Sequence, residues 1–262
     1  MNAPANFPAF AAKLAAKNTS GPTAVLKYGD SAKVLKSILA NSVSAVICDP
    51  PFGIDYGGKD WDDALPDDAI WRECFRVLKP GGYLLAFGSP KTSHWLTVQL
   101  EKIGFILCGR MAWMYPNGTP ACQRISETHH ARVKPAHEDM ILVMKPIAAS
   151  TMTAHREKFG NCGLRIVDTM GDGTITMTTS ILKHNKPTPT ERNLGVEHFP
   201  ERLVIERDES DRSLVKESMQ RNFHPCVKPA GLLSHLSLLL ANPGNTILGP
   251  FMGSGSGGLA AI

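Results

Sequence analysis

The residues best suited to chemistry are Asp49, Pro50, Pro51 and Phe52, which stand directly after the apolar run 43–48. That run is short and rich in β-branched residues, so it predicts a buried strand. The two prolines allow neither a continued ladder nor a helix. A carboxylate at the carboxyl end of a buried strand occupies the position where open α/β sheets bind ligands. The same residues also fit a strand that ends at a Pro-Pro turn with a capping aspartate, so on their own they leave both interpretations open.

Alternating helix and strand patterns surround this run. Strands are predicted at 24–28, 83–87, 105–113 and 141–144, and helices at 31–39, 67–78 and 94–103. In the first helix Ser31 is the predicted cap, and the core face would carry Val34, Leu35, Ile38 and Leu39. The alternation predicts a doubly wound α/β domain with a parallel sheet.

A second candidate for ligand binding lies near residue 250. An apolar helix is predicted at 232–240 and a strand at 246–248, followed by the glycine-rich stretch 249–258. Gly253 and Gly255 allow the backbone to approach a ligand closely. Such a glycine cluster is weak evidence by itself, because flexible linkers have a similar composition.

Two parts of the chain lack this regularity. Residues 1–23 contain no acidic residue and predict a frayed arm or a short surface helix, although a transit peptide shares those traits. The range 148–223 has no regular spacing of apolar residues that would mark a face packed on a core. Because a structureless loop of that length is unusual inside a compact domain, it predicts a small inserted module.

Composition limits the classes of protein. At 262 residues the chain is long enough for one large domain, or for a core domain with an insertion. A net charge of +4 permits a polyanionic partner without requiring one. The six cysteines form no C-x-x-C pair, so neither a metal site nor a disulfide framework is indicated, and buried thiols in a reducing compartment are expected. No apolar run is long enough to span a bilayer, so no membrane partner is expected.

Three motifs together are far more specific than any one of them. D-P-P-F at 49–52, H-P-C-V-K-P at 224–229 and F-M-G-S-G-S at 251–256 resemble the β class of exocyclic-amino DNA methyltransferases. The resemblance covers about residues 24–262. Shorter stretches are similar to phage and prophage members of that family: 53–54, 58–62, 76–82 and 134–138.

The resemblance implies a Rossmann-like, circularly permuted methyltransferase fold, with S-adenosylmethionine as the cofactor of the enzyme. A doubly wound, mostly parallel sheet would carry an inserted recognition region. The implied divisions are an N-terminal arm at 1–23, a catalytic half at 24–147, a target recognition region at 148–223 and a cofactor-binding half at 224–262. A cytoplasmic location in a bacterial or phage-infected cell, and a role in restriction-modification, are also implied.

The implied reaction moves a methyl group to an exocyclic nitrogen of a flipped base in double-stranded DNA. That nitrogen is usually N6 of adenine and sometimes N4 of cytosine. Asp49 and the carbonyl of Pro50 would accept the hydrogens of the amine, with Pro51 stiffening the backbone. Phe52 would offer its aromatic face to the flipped ring. Asp rather than Ser before the two prolines favours adenine.

The resemblance also implies two groups of cofactor residues. The first group belongs to the glycine loop and consists of Phe251, Gly253, Ser254 and Gly255. The second group belongs to the motif that would close over the methionine end of S-adenosylmethionine, and it consists of His224, Pro225, Lys228 and Pro229. Asp30 follows the predicted strand 24–28 and would face the adenine of the cofactor. A capping role suits Asp30 nearly as well.

Two departures from the family pattern leave alternatives open. Gly249 stands where the family usually has Asp, and the sequence stops at Ile262, where the family continues through a helix to another strand between the strands ending at Asp30 and Gly249. A truncated gene or a missing companion polypeptide would each give this sequence, and a homodimer is possible. A catalytically silent DNA-binding relic and one half of a split methyltransferase therefore stay open. A nicotinamide-dependent oxidoreductase is a remote alternative.

Overall fold

The computed structural model describes residues 23–115, 125–131, 133, 136–165, 167–168, 175–176, 179–193, 196, 199–207, 215–222, 224 and 226–261. Strands of the central sheet are β1 (Val43–Cys48), β2 (Leu78–Gly88), β3 (Ile106–Met114) and β4 (His137–Met144). Two-stranded ribbons are formed by β5 (Val167–Asp168) with β6 (Ile175–Thr176) and by β8 (Arg202–Arg207) with β9 (Val215–Gln220). The central sheet is completed by β7 (Ile181–Lys183) and β10 (Ile247–Leu248).

The central sheet has the strand order β10-β1-β2-β4-β3-β7. Strand β4 runs antiparallel to β2 and β3, whereas the remaining neighbours in this sheet are parallel. The sheet is therefore mixed and mostly parallel, and the predicted α/β class is confirmed; the circular permutation stays a prediction. The carboxyl ends of β10, β1, β2 and β3 lie at one edge, where β4 begins.

Helices cover both faces of this sheet. They are α1 (Ser31–Val34), α2 (Asp68–Val77), α3 (Ser93–Ile103), α4 (Met152–Phe159), α5 (Pro189–Arg192), α6 (Ala230–Leu240) and α7 (Ser256–Ala261). Single 3-10 turns lie at Leu35–Ser37, Tyr56–Gly58 and Asp60–Asp62. Among the described residues, none of the helices has the length and apolar character needed to cross a membrane.

Alternate residues of β2 enter two hydrophobic clusters. Leu85 and Phe87 pack on the side of α6, whereas Leu84 and Ala86 pack on the side of α2 and α3. Because both faces are covered, the second half of the strand, from Tyr83 to Phe87, carries no charged residue and is buried throughout. This packing fixes β1 and β2, and with them the positions of the residues that follow each strand.

The first predicted strand–helix–strand unit does not form. Residues 24–28 have no regular structure, and the side chain of Val25 is 79% exposed. A strand needs a neighbour that exchanges backbone hydrogen bonds with it, and no described strand lies beside this segment. The prediction of a strand at 24–28 is therefore wrong.

The first helix is also shorter than predicted. Its N-cap is Asp30, whose carboxylate accepts a hydrogen bond from the backbone of Lys33, so the prediction of Ser31 as the cap is wrong. The helical turns end at Ser37, and Leu39, which was placed on the core face, is 77% exposed. The hydroxyl of Ser31 instead donates to the carbonyl of Pro250 at 2.6 Å.

Part of the range 148–223 belongs to the central domain. Strand β7 pairs with β3 in the main sheet, and His155 of α4 is buried against the start of β2, where its ring contacts the carbonyl of Pro80 at 3.0 Å. The division of the chain at residues 23, 147 and 223 stays a prediction. Residues 1–22 lie outside the described part of the chain.

Candidate active site at the carboxyl edge of the sheet

The cleft at the carboxyl edge of the sheet begins at Asp49, the residue after β1. Strand β1 lies between β10 and β2, so its end is held from both sides. The Asp49 side chain is 23% exposed and lines the cleft together with Pro50, Pro51 and Phe52. The two prolines direct the chain out of the sheet, which leaves the carboxylate at the carboxyl end of the strand.

The loop after these residues is fixed by Asp62, whose side chain lies in the interior with a relative exposure of 1% for the residue. One carboxylate oxygen accepts from the backbone N–H of Phe52 at 2.5 Å and of Gly53 at 3.2 Å. The other accepts from Ile54 at 3.3 Å and from Tyr56 at 3.0 Å. Four backbone donors therefore surround one carboxylate, which compensates for its burial.

Phe52 is held from its other side by α3. The hydroxyl of Thr92, the residue before that helix, donates to the carbonyl of Phe52 at 2.6 Å. The contacts of Asp62 and Thr92 with residue 52 are not predictable from local sequence patterns. The pair Trp61-Asp62 was noted only as part of a resemblance, and nothing in the local spacing shows that its carboxylate turns back to residue 52.

Lys228 is the ion-pair partner of Asp49. Its Nζ lies 2.6 Å from Asp49 Oδ2 and 3.2 Å from Glu138 Oε2, and its side chain is 5% exposed. The sequence analysis assigned Lys228 to the cofactor; the structure places its ammonium on the side of the cleft that holds Asp49. Glu138, which lies in β4, was not assigned a role and joins the site only through the tertiary fold.

These charges affect one another strongly because they are buried. Burial alone lowers the pKa of Lys228, but the carboxylates of Asp49 and Glu138 reverse that effect and raise it above its ordinary value. Burial raises the pKa of Asp49; the Lys228 ammonium opposes this increase and Glu138 adds to it. Lys228 is therefore a permanent cation, and Asp49 is a stronger proton acceptor than an exposed aspartate.

The glycine loop, which follows the neighbouring strand β10, lines the same cleft. Gly253 and Gly255 have positive φ angles of 54° and 86°, which side chains rarely adopt. A Cβ at Gly253 would lie 3.5 Å from the ring of His224, so the loop and the H-P-C-V-K-P motif meet at this point. Phe251 packs on Trp71 of α2 with ring centroids 5.7 Å apart. Ser254 lines the cleft beside them.

His224 is held in one orientation. The backbone N–H of Cys226 donates to His224 Nδ1 at 3.3 Å, and Arg192 donates to the His224 carbonyl at 2.8 Å. Burial, followed by the charges of Lys228 and Arg192, lowers the pKa of His224. A neutral ring whose Nδ1 accepts a hydrogen bond carries its proton on Nε2. His224 therefore presents an N–H donor next to Gly253.

The remaining predicted cofactor residues have different positions. Pro229 is the N-cap residue of α6. Asp30 caps α1 through its bond to Lys33, which matches the capping role left open for it. Pro225 lies outside the described residues. The carboxylate expected at position 249 is absent, since Gly249 stands there and lines the cleft.

The cleft has a volume of about 1660 Å³. Small-molecule sites in proteins usually measure roughly 300–1,000 Å³, so this one is large enough for two ligands side by side. Asp49, Phe52, Phe251 and Gly253 all line it. The class of protein that this fold and site define is an α/β protein with one large ligand cleft at the carboxyl edge of its sheet, lined both by the glycine loop and by Asp49.

Comparison with known proteins gives the family. A family model described as DNA methylase matches residues 43–262, and the chain therefore belongs to that family. The predicted enzyme class, a DNA amino-methyltransferase of the adenine-N6 or cytosine-N4 type that uses S-adenosylmethionine, is confirmed at this level.

Two curated relatives have a similar sequence. DNA adenine methyltransferase YhdJ from Escherichia coli (strain K12) is 26% identical over 248 residues, which cover 90% of this chain and 73% of that protein. Type II methyltransferase M.HpaI from Haemophilus parainfluenzae is 25% identical over 232 residues, which cover 86% of this chain and 62% of that protein. The chain thus spans less than two thirds of the second relative.

Two solved structures have a similar fold. PvuII DNA methyltransferase, which is cytosine-N4-specific, aligns with a TM-score of 0.59 and 18% identity and covers 93% of this chain and 79% of its own. M1.HpyAVI aligns with a TM-score of 0.52 and 17% identity, and the alignment covers 90% of this chain and 84% of that chain. At these identities the alignments establish the fold.

Proposed function

We propose that this chain is a site-specific DNA methyltransferase that transfers a methyl group from S-adenosylmethionine to the N6 amine of a flipped adenine. The observation that carries the proposal is that Asp49 and Pro50, at the end of β1, line the same cleft as the glycine loop that follows the adjacent strand β10. Both groups of residues that the reaction needs therefore face the same space.

An exocyclic amine is a weak nucleophile because its lone pair is delocalised into the ring. In this proposal the Asp49 carboxylate and the Pro50 carbonyl accept its two hydrogens, which draws the nitrogen toward a tetrahedral geometry. When the nitrogen forms its bond to the methyl carbon, it must release a proton. Asp49 is the acceptor for that proton, and its raised pKa suits this role.

Phe52 is proposed to hold the flipped base. Its backbone is fixed by Asp62 and Thr92, and its partly buried side chain packs at the margin of the hydrophobic cluster on the α6 side. An aromatic ring on a rigid backbone stacks on a base without losing much conformational entropy. That contact offsets part of the cost of removing the base from the duplex.

The cofactor side fits S-adenosylmethionine by its chemistry. When bound, S-adenosylmethionine supplies an activated methyl group on a positively charged sulfur. Gly253 and Gly255 leave the loop backbone open to close contact, and the His224 Nε2–H is a donor suited to a carboxylate. The two carboxylates of Asp49 and Glu138 share the single ammonium of Lys228, and their net negative charge favours a cation in the adjoining space.

The test is methyl transfer from labelled S-adenosylmethionine to unmethylated DNA of mixed sequence, with Asp49→Ala as the control. We expect label in the DNA with the native chain and none with the variant, and nucleoside digestion should place it on N6-methyladenine. Label on N4-methylcytosine would correct the base but not the reaction. No label from a folded chain that binds both the cofactor and DNA would refute the proposal.

A further inference from the structure

Lys228 connects two carboxylates that come from distant parts of the chain. Asp49 follows β1, Glu138 lies in β4 and Lys228 stands just before α6. The distances from Nζ are 2.6 Å to Asp49 Oδ2 and 3.2 Å to Glu138 Oε2. Because the lysine side chain is almost fully buried, solvent and salt screen these pairs much less than pairs on the surface.

Glu138 depends on this lysine. Its Oε2 is shielded from solvent and makes no hydrogen bond of good geometry with the described residues, so its close polar contact is the ammonium at 3.2 Å. A buried carboxylate without a compensating positive charge is costly. Glu138 therefore holds the ammonium in place, and at the same time it competes with Asp49 for that charge.

We propose that Lys228 and Glu138 are positioning residues of the catalytic site that act in opposite directions on Asp49: Lys228 keeps its carboxylate ionised and oriented, and Glu138 limits that effect while holding Lys228. The inference rests on the proposed function in one respect, namely that Asp49 must be ionised to accept hydrogens from the amine. A protonated carboxyl group offers a donor in place of one acceptor and binds an amine less well.

The other groups that face Asp49 cannot take over the role of Lys228 in keeping its carboxylate ionised. Asp62 adds a negative charge, and the Cys48 thiol lies next to Asp49 in the chain. Burial raises the pKa of Cys48 well above its ordinary value and that of Cys226 to about 11, so both thiols are neutral near pH 7. The cation that faces Asp49 within this group is Lys228. Removing Lys228 should therefore favour protonated Asp49, and removing the charge of Glu138 should favour ionised Asp49.

The direct test follows the carboxyl carbon of Asp49 by NMR in protein labelled with ¹³C at the aspartate carboxyl group. Asp49→Asn assigns the signal. We expect Lys228→Met to move the titration midpoint of Asp49 to higher pH, Glu138→Gln to move it to lower pH, and the double variant to lie between them. Lys79→Met is the matched control, because Lys79 contacts Ser44 at the opposite edge of the sheet.

Midpoints that do not move, or that move in the same direction in both variants, would overturn the proposal. If Lys228→Met fails to fold, the isosteric Glu138→Gln decides alone: a midpoint shifted to lower pH supports the proposal, and an unchanged or higher one contradicts it. This measurement does not depend on methyl transfer. If the native chain methylates no DNA, the proposed function fails while the roles of Lys228 and Glu138 are still tested.

Transfer assays add a second readout. We expect Lys228→Met to lower kcat by about tenfold or more at neutral pH, with partial recovery as the pH is raised and Asp49 loses its proton. Adding Glu138→Gln should restore part of the loss, because one of the two competing carboxylate charges is then removed. A purely structural role for Lys228 predicts a loss that does not depend on pH and is not relieved by Glu138→Gln.

Discussion

The carboxylate of Asp62 accepts a hydrogen bond from the backbone N–H of Phe52 at a distance of 2.5 Å. This contact closes the loop that follows the D-P-P-F motif, and three further backbone N–H groups donate to the same carboxylate. The rigidity of Phe52 therefore depends on a residue ten positions later in the chain. Asp62 therefore acts on the motif through four backbone hydrogen bonds.

Asp62→Asn should impair methyl transfer. An amide presents an N–H group to at least one of the four donors, so contacts to a charged acceptor worth about 1.5–3 kcal/mol are lost. We expect a lower Tm and a kcat reduced by about tenfold or more, with little change in the Kd for S-adenosylmethionine. Asp63→Asn, at an exposed position in the same loop, is the control and should behave as the native chain. An unchanged kcat in Asp62→Asn would show that the loop does not need this carboxylate.

Gly253→Ala should weaken cofactor binding. The φ of 54° at this position costs a residue with a side chain roughly 1–2 kcal/mol, and the added methyl group would lie against His224. We expect the Kd for S-adenosylmethionine, measured by calorimetry, to rise about tenfold. Gly160→Ala is the matched control: its φ is 71°, but it ends α4 and has open space around it. Equal effects of both substitutions on the Kd would argue against a cofactor role for Gly253.

Methyl transfer should depend on pH through Asp49. Transfer needs the ionised carboxylate, which is present above the pKa of Asp49 and is lost as the pH falls through it. Because burial raises that pKa, the decrease in kcat should begin at a higher pH than for an exposed aspartate, whose pKa is about 3.9. The measurement is kcat between pH 4 and pH 9, with circular dichroism at each pH. A kcat that stays constant until the protein unfolds would contradict this assignment.

Lys145→Met should destabilise the fold without affecting the site directly. Its Nζ donates to the carbonyls of Phe75 at 2.7 Å and Leu78 at 2.8 Å and to Asn41 at 2.7 Å. Removing the donor leaves these acceptors unpaired, and we expect the free energy of unfolding to fall by about 2–3 kcal/mol in urea titrations. Lys102→Met, at an exposed position in α3, should change it by less than about 0.5 kcal/mol.

The sequence by itself determined the strand that leads into Asp49, the helices Asp68–Val77 and Ser93–Ile103 and the loop with Gly253 and Gly255. These features depend on local patterns: apolar runs, capping residues and glycine positions, which act within a few residues of one another. The motifs in their order also determined the family. The prediction of a strand at 24–28 was wrong for a related reason. A run of β-forming residues shows only a local preference, and a strand forms only where a neighbouring strand exchanges backbone hydrogen bonds with it.

Only the tertiary structure decided which side chains meet in the cleft. Lys228 and Asp49 are 179 positions apart, and Glu138 reaches them because β4 enters the sheet antiparallel at the edge where β1 ends. No local pattern encodes such a contact, because it depends on how the sheet is ordered and how deeply each side chain is buried. Burial and the neighbouring charges also shift the pKa values of Asp49 and Lys228, and so the chemistry predicted at Asp49 depends on residues whose role became visible only in the folded chain.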